Sequence, residues 1–318
     1  MPGPNPILAV GSVLRVFEPD SPQARAIFNL GVICIVVLGV IYVIVGGLIV
    51  FSVMRFRWRE GAPDPSQVAG NARIEIIWTA IPCVIVATLF VLTAHTMTIS
   101  DPPPAPTPDL VAIGHQWWWE FRYPGSGVVS VNEIHIPLGK PISLRLDSTD
   151  VLHEFWVPEL TRKMTAVPGH PNHIWLEADK PGTYLGICSE FCGTQHAWMH
   201  FIVVAEPQED FEAWTNAQLQ AAAAPEGEAA KGLALFQQLS CTSCHAVKGT
   251  PATAQVAPDL THLASRRQLG AGIMDNTPEN LHRWLMDPQK VKPGVLMPSF
   301  NLTDEQANEL VAYFETLK

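Results

Sequence analysis

Charge is missing from two long stretches near the start of the sequence. No charged side chain occupies the 29 positions between Arg25 and Arg55, or the 25 positions between Glu75 and Asp101. About 20 apolar residues suffice to cross a bilayer as a helix, and runs this long are hard to bury in so small a soluble domain. The first hundred residues therefore read as a two-helix membrane hairpin. Positive charge is also scarce. Residues 101–318 carry 14 basic against 25 acidic side chains, which excludes the basic face that nucleic-acid binding favours. The segment before Arg25 lacks a basic start followed by an apolar core, so it does not read as a signal peptide.

Orientation follows from the loop between the two runs. It holds Arg55, Arg57, Arg59 and Arg73 against Glu60 and Asp64, and loops rich in Arg and Lys stay in the cytoplasm. Both termini are therefore expected on the extracytoplasmic side. Residues 1–24 form an outer N-terminal segment and residues 25–99 the hairpin.

After the hairpin, DPPPAPTPD cannot continue a helix and reads as a stiff spacer. Residues 100–207 then change to short alternating runs. In PISLRLDST, Ile142, Leu144 and Leu146 share one face while Ser143, Arg145 and Asp147 share the other. HIWLEA and HFIVVAE add further strands, so this part is expected to be an antiparallel β-sandwich or barrel. Residues 208–228 read as a short helix and a linker ending in Pro and Gly. Residues 229–318 are helical in character and close on TDEQANELVAYFETLK. There Thr303 and Gln306 form a capping box, and Leu310, Tyr313, Phe314 and Leu317 an apolar stripe.

CTSCH in this all-α tail, with Cys241, Cys244 and His245, has the C-x-x-C-H form that attaches a c-type haem. Two thioethers hold the macrocycle and the adjacent histidine lies under the iron. A redox C-x-x-C needs no following histidine, and a zinc site would need a second half. A soft sixth ligand suits a high potential. Met297 in GVLMPSF is the leading candidate, with Met274 and Met286 as alternatives.

CSEFCGTQHAWMH, residues 188–200, offers two readings. Outside the membrane Cys188 and Cys192 could form a disulfide, though four residues is a short separation and His196 and Met199 would then lack a purpose. Thiolate, imidazole and thioether together favour copper, and two thiolates in one loop can bridge two copper ions. That arrangement requires a second histidine. His153 leads, with His115, His135, His170 and His173 nearby.

CSEFCGTQHAWM, DVLHEFWVP, GHQWWWEFRYP and EIIWTAIP, in their order along residues 20–205, together resemble subunit II of haem-copper cytochrome c oxidase. CTSCH, APDLTHL and MPSF ahead of the final helix resemble a class I cytochrome c. The whole chain is similar to the caa branch of the oxidases, in which subunit II carries its own donor. The resemblance implies a cupredoxin-like fold, a binuclear copper centre (CuA) and one covalent haem c. By position, Cys188 and Cys192 would bridge two coppers, His153 and His196 would bind one each, and Met199 and the Glu190 carbonyl would complete the shells. The Glu190 side chain has a second candidate role, binding a magnesium ion shared with subunit I. Trp117 matches the residue that receives electrons, Asp150 an acidic docking face, and Glu75 the entrance of a proton path into subunit I.

His200 stands where many relatives have proline, and PGH at Pro168–His170 replaces the more usual PGR. The implied partners are subunit I with its haem and copper, other oxidase subunits, membrane lipid, and an upstream donor. That donor is a quinol-cytochrome c reductase complex or another cytochrome c. Oxygen reduction is expected in another subunit, because the plausible ligands here are already used. A linker of some 20 residues would hold donor near acceptor at an effective concentration on the order of millimolar. Rival readings are the second subunit of a CuA-bearing nitric oxide reductase and a membrane-anchored copper-binding protein without turnover. A quinol oxidase subunit would have no need of CuA.

Overall fold

A computed structural model describes residues 14–61, 67, 70–101 and 105–318. Asp64 of the arginine-rich loop, Pro102–Pro104 of the proline-rich spacer and the start of the N-terminal segment lie outside the described residues. The chain divides into two compact units, one of Arg25–Asp101 and one that joins Met1–Ala24 to Pro102–Lys318.

The first unit consists of α1 (Pro22–Arg55) and α2 (Ala72–Ser100). At 34 and 29 residues they measure roughly 50 and 43 Å, longer than the ~30 Å hydrocarbon core of a bilayer. Large apolar side chains along both, such as Val43 and Phe90, are exposed, as suits a lipid-facing surface. Asn71 caps α2, its side chain accepting from the amides of Arg73 and Ile74.

The second unit contains the β-sandwich. One sheet runs β3 (Val128–Val131), β2 (Trp118–Tyr123), β1 (Leu110–His115), β5 (Ile142–Ser148) and β8 (Asn172–Leu176). The other runs β4 (Glu133–Pro137), β10 (His200–Glu206), β9 (Gly182–Cys188), β6 (His153–Trp156) and β7 (Met164–Ala166). Most neighbours are antiparallel, while β1 with β5 and β4 with β10 are parallel. Between the sheets Trp119, Phe121, Phe155 and Phe201 are fully buried, with ring centroids 4.6 Å apart for Phe155 and Phe201 and 5.7 Å for Trp119 and Phe201. The alternation in β5 holds for its leucines. Ser143 is nevertheless buried, because the Asp109 carboxylate accepts both its amide and its hydroxyl at 2.9 and 2.7 Å. Ser21, just ahead of α1, meets this sandwich, its hydroxyl donating to the Leu160 carbonyl at 2.6 Å.

The connecting segment opens with α3 (Gln208–Gln218), whose Phe211 and Trp214 pack against the sandwich core. Trp214 stacks on His135 with centroids 4.1 Å apart. His135 is itself held between Glu206 at 2.8 Å and Glu133 at 3.0 Å. Burial opposes its charge, but these two carboxylates outweigh burial and raise its pKa.

The tail packs α4 (Gly227–Gln238), α5 (Pro278–Met286), α6 (Pro288–Val291) and α7 (Asp304–Phe314) around a second core, with a short ladder of β11 (Gln268–Leu269) and β12 (Met274–Asp275). The expected capping box of Thr303 and Gln306 is formed, and Leu310, Tyr313, Phe314 and Leu317 are buried. Helices α4 and α7 cross at Gly232, where a Cβ would lie 2.0 Å from the Glu309 carbonyl oxygen. Gly232→Ala should force these helices apart and destabilise the tail by roughly 1 to 3 kcal/mol. Thermal unfolding of the variant, followed by α-helical circular dichroism, measures the loss.

Candidate metal centre

The copper-candidate loop begins at the end of β9 and closes where β10 starts. The Cys188 amide donates to the Met199 carbonyl at 3.0 Å, which joins its two ends. Gly193, with φ +115°, and a single 3-10 turn over His196–Trp198 fold the segment inward. Cys188, Cys192 and Met199 are buried as a result.

Their sulfur atoms converge. The two cysteine Sγ atoms lie 3.8 Å apart, nearly twice the length of an S–S bond, and both cysteines are free thiols. No S–S bond joins them at this distance. Cys188 Sγ is 3.9 Å from His153 Nδ1 and 3.3 Å from the Glu190 carbonyl oxygen. Cys192 Sγ is 3.7 Å from His196 Nδ1 and 3.9 Å from Met199 Sδ. His153, Cys188 and Cys192 alone present ligand atoms all within 4.8 Å of one another. The donor set is soft and divided evenly about the two sulfurs, which fits two copper ions bridged by thiolates.

Protonation agrees with this use. A hydrogen bond from Cys192 lowers the Cys188 pKa against the opposing effect of burial, and His153 lowers it further. The same proton, retained on Cys192, raises the Cys192 pKa. The shared hydrogen bond thus favours the thiolate form at one sulfur of the pair, the form that binds a soft metal.

His153 opens β6, and the fold makes room for it. A Cβ on Gly114 of β1 would stand 2.6 Å from His153 Cδ2, so a residue without a side chain is needed there. Its Nε2 meets Asp150 Oδ1 at 2.8 Å, which fixes the proton on that nitrogen and leaves Nδ1 facing Cys188. Burial disfavours the charged imidazole, yet Cys188 and Asp150 together raise its pKa. Asp150 also accepts the Gln116 amide at 2.7 Å. An acid three residues before a candidate ligand is the sequence signal for this orienting role, which a reading of Asp150 as part of an acidic docking face leaves out.

Trp117 touches the same loop. Its indole Nε1–H donates to the Cys192 carbonyl at 2.9 Å, alongside Gln116 Nε2 at 2.8 Å. The alternative histidines have other neighbours. His115 stacks on Trp118 with Nε2 3.3 Å from Glu120, His135 is held by Glu133 and Glu206, and His170 is exposed. His173 lies on β8, paired opposite Arg145 of β5. The Glu190 side chain is half-buried, and Glu75 sits exposed in the first turn of α2.

In the tail, Cys241 opens a 3-10 turn that Cys244 closes, and His245 follows. His245 Nδ1 donates to the Pro258 carbonyl at 2.7 Å, leaving Nε2 for an iron. Burial lowers its pKa against the opposing bond to the Pro258 carbonyl, with Arg266 adding to the lowering, which favours the neutral ring that a ligand requires. Met297 and Cys241 are half-buried against the tail core, and Gln289 Nε2 holds the Met297 carbonyl at 2.9 Å. Met274 on β12 and Met286 at the end of α5 pack against the same core. These residues fit a covalently attached haem with a histidine below it.

Residues 13–95 match the family described as "Cytochrome C oxidase subunit II, transmembrane domain", and residues 127–206 match "Cytochrome C oxidase subunit II, periplasmic domain". Residues 229–318 match "Cytochrome c". The "Cytochrome c oxidase subunit 2" of Alkalihalophilus pseudofirmus is 36% identical over 314 residues, covering 96% of this chain and 91% of the relative. That of Bacillus sp. (strain PS3) is 35% identical, covering 83% and 80%. A "Quinol oxidase subunit 2" of Bacillus cereus is 33% identical, covering 66% of this chain and 74% of its own. Among solved structures, the periplasmic domain of subunit II of cytochrome oxidase from Bradyrhizobium japonicum is 30% identical, with a TM-score of 0.34, covering 36% of this chain and 95% of that one. These families imply copper and haem c, for which the two donor sets above are suited. The chain therefore belongs to the cytochrome c oxidase subunit II family of oxidoreductase subunits, with a membrane hairpin, a copper-binding periplasmic domain and a cytochrome c domain.

Proposed function

We propose that this chain is the electron-receiving subunit of a terminal oxidase. It accepts electrons at its own cytochrome domain and passes them through the copper-binding domain to subunit I, where oxygen is reduced to water. The observation that carries this reading is the convergence of His153, Cys188, Glu190 O, Cys192, His196 and Met199 on one buried nest that Trp117 also contacts.

Two coppers in the nest and one haem on Cys241 and Cys244 supply reversible one-electron transfer when bound. The residues of the chain do the rest. Cys188 and Cys192 would hold the coppers through their thiolates, with Nδ1 of His153 and of His196 beside them. Met199 and the Glu190 carbonyl would be the weaker donors, and the Glu190 side chain would be a ligand for a magnesium shared with subunit I. Asp150 keeps His153 in one tautomer. Trp117, tied by its indole to the Cys192 carbonyl, joins a large aromatic surface to the thiolate loop by one hydrogen bond. Burial of the nest excludes water, so little solvent reorganises when charge arrives. His245 and Met297 would hold the haem iron, and Glu75 would serve the entrance of the proton path of subunit I.

The arginine-rich loop lies in the cytoplasm, and both termini with both soluble domains lie outside. The haem is reduced by a quinol-cytochrome c reductase complex or by another cytochrome c.

Metal analysis of the full chain, purified in detergent, tests this reading. We expect two coppers and one haem per chain, with the spectrum of a delocalised mixed-valence copper pair. One copper or none, with a Cys188–Cys192 disulfide in the native protein, would overturn it. Asp150→Asn should weaken copper binding by about 10- to 100-fold, measured by competition with a chelator, while leaving haem content unchanged. Met297→Ala should abolish the thioether-iron absorption band and lower the haem potential. A variant that kept both would return the sixth ligand to Met274 or Met286.

A further inference from the structure

Lys292 follows α6 in the cytochrome domain and is only 2% exposed. Its Nζ donates to the carbonyls of Gly270 at 2.8 Å, Trp198 at 3.0 Å and Trp117 at 3.4 Å. An ammonium group has three N–H donors and no acceptor, so the three carbonyls match it one for one. Gly270 belongs to the cytochrome domain, Trp198 to the loop that carries His196 and Met199, and Trp117 to the tryptophan run. Burying a cation is costly unless its hydrogen bonds are met, and here two of the three acceptors come from the other domain.

The seam around Lys292 is closely fitted. The His200 amide donates to the Ala271 carbonyl at 3.0 Å, a bond that a proline at this position has no N–H to make. A Cβ on Gly272, at φ +83°, would lie 2.8 Å from His200 Cβ, and one on Gly294, at φ +88°, would lie 3.0 Å from Thr194 Cγ2. Two glycines thus allow the cytochrome backbone to approach the copper-candidate loop. Farther along, the Arg267 amide donates to Glu133 at 3.1 Å and its guanidinium to Thr183 at 2.6 Å.

We propose that this seam is a built interaction surface whose partner is the chain's own cytochrome domain, with Lys292 as its central pin and the His200 amide as its second fastening. The proposal rests on the function above for its purpose, because the pinned elements are the loop of His196 and Met199 and the backbone of Trp117. Its polar recognition is directed mainly at main-chain carbonyls rather than at acidic side chains. The dock should therefore persist at salt concentrations that release a partner held by surface ion pairs.

Hydrogen–deuterium exchange on the full chain in detergent, read by mass spectrometry, tests this without depending on metal. In the wild type the His200 amide and residues 268–272 should be protected, with protection unchanged between low and high salt. Lys292→Met should raise exchange in both segments at least tenfold while α4 and α7 stay protected. If Lys292→Met loosens α4 and α7 as well, His200→Pro decides, because β10 keeps its ladder. Faster exchange confined to residues 268–272 supports the dock, and unchanged exchange there overturns it. Unprotected segments in the wild type, or protection lost in high salt, also overturn it. Copper and haem contents measured on the same samples separate the two ideas. Failure to load metal with the exchange pattern intact would count against the function only, and full loading with exchange insensitive to both substitutions would count against the dock only.

Discussion

The bond from the Cys188 amide to the Met199 carbonyl is the constraint on which the candidate centre depends. It closes the loop between β9 and β10, so that the donors of Cys188, Glu190, Cys192, His196 and Met199 point to one interior point. The sandwich supplies the two strands that hold the loop ends at this distance. Phe201, one residue into β10, packs in the aromatic core between the sheets, and Gly186 of β9 leaves space for its ring, since a Cβ there would lie 2.2 Å away. Core packing and ligand placement are therefore a single problem. A change that shifts β10 by an ångström moves Met199 and His196 together.

From that clamp the outer layers follow. His153 reaches the nest from a neighbouring strand, because Gly114 gives its ring room and Asp150 sets its proton. Asp150 also accepts the Gln116 amide, and the adjacent Trp117 returns to the loop through the Cys192 carbonyl. The chain of contacts runs in a ring, from loop to histidine to acid to tryptophan run and back to the loop. Each member limits the freedom of the next, which is how a soft metal site keeps its geometry through a change of charge.

Much of this was legible in the sequence, for reasons that differ by feature. The hairpin, the haem attachment motif and the final capping box are local patterns, written in contiguous residues, and each needs only length, spacing or a cap to be read. The thiolate loop was legible as a set of donors but ambiguous as chemistry, because spacing along a chain does not state the distance between two sulfur atoms. His153 led four other histidines only by its place beyond a strand, since long-range pairing leaves no periodic trace. Ser143 broke its alternation because Asp109, distant in sequence, satisfies it. Lys292 was not legible at all. A lysine after a short helix reads as a solvated surface residue, and only the fold shows carbonyls from three separated segments gathered around it.

The segment joining the two soluble domains is fastened at both ends. Trp214 of α3 stacks on His135 at one end. At the other, the Ala222 amide donates to the Lys248 carbonyl at 3.0 Å and Lys248 Nζ to the Leu219 carbonyl at 2.6 Å. His262 adds contacts to the Gln218 and Lys318 carbonyls at 2.9 and 2.8 Å. A flexible tether would make each meeting of the domains a fresh search through its conformations, with a cost that grows with tether length. Here that search is completed once, during folding. On the electron-transfer role proposed above, delivery of an electron would become a property of a fixed distance rather than of a diffusing pair, and its rate would be decoupled from how crowded or viscous the surroundings are.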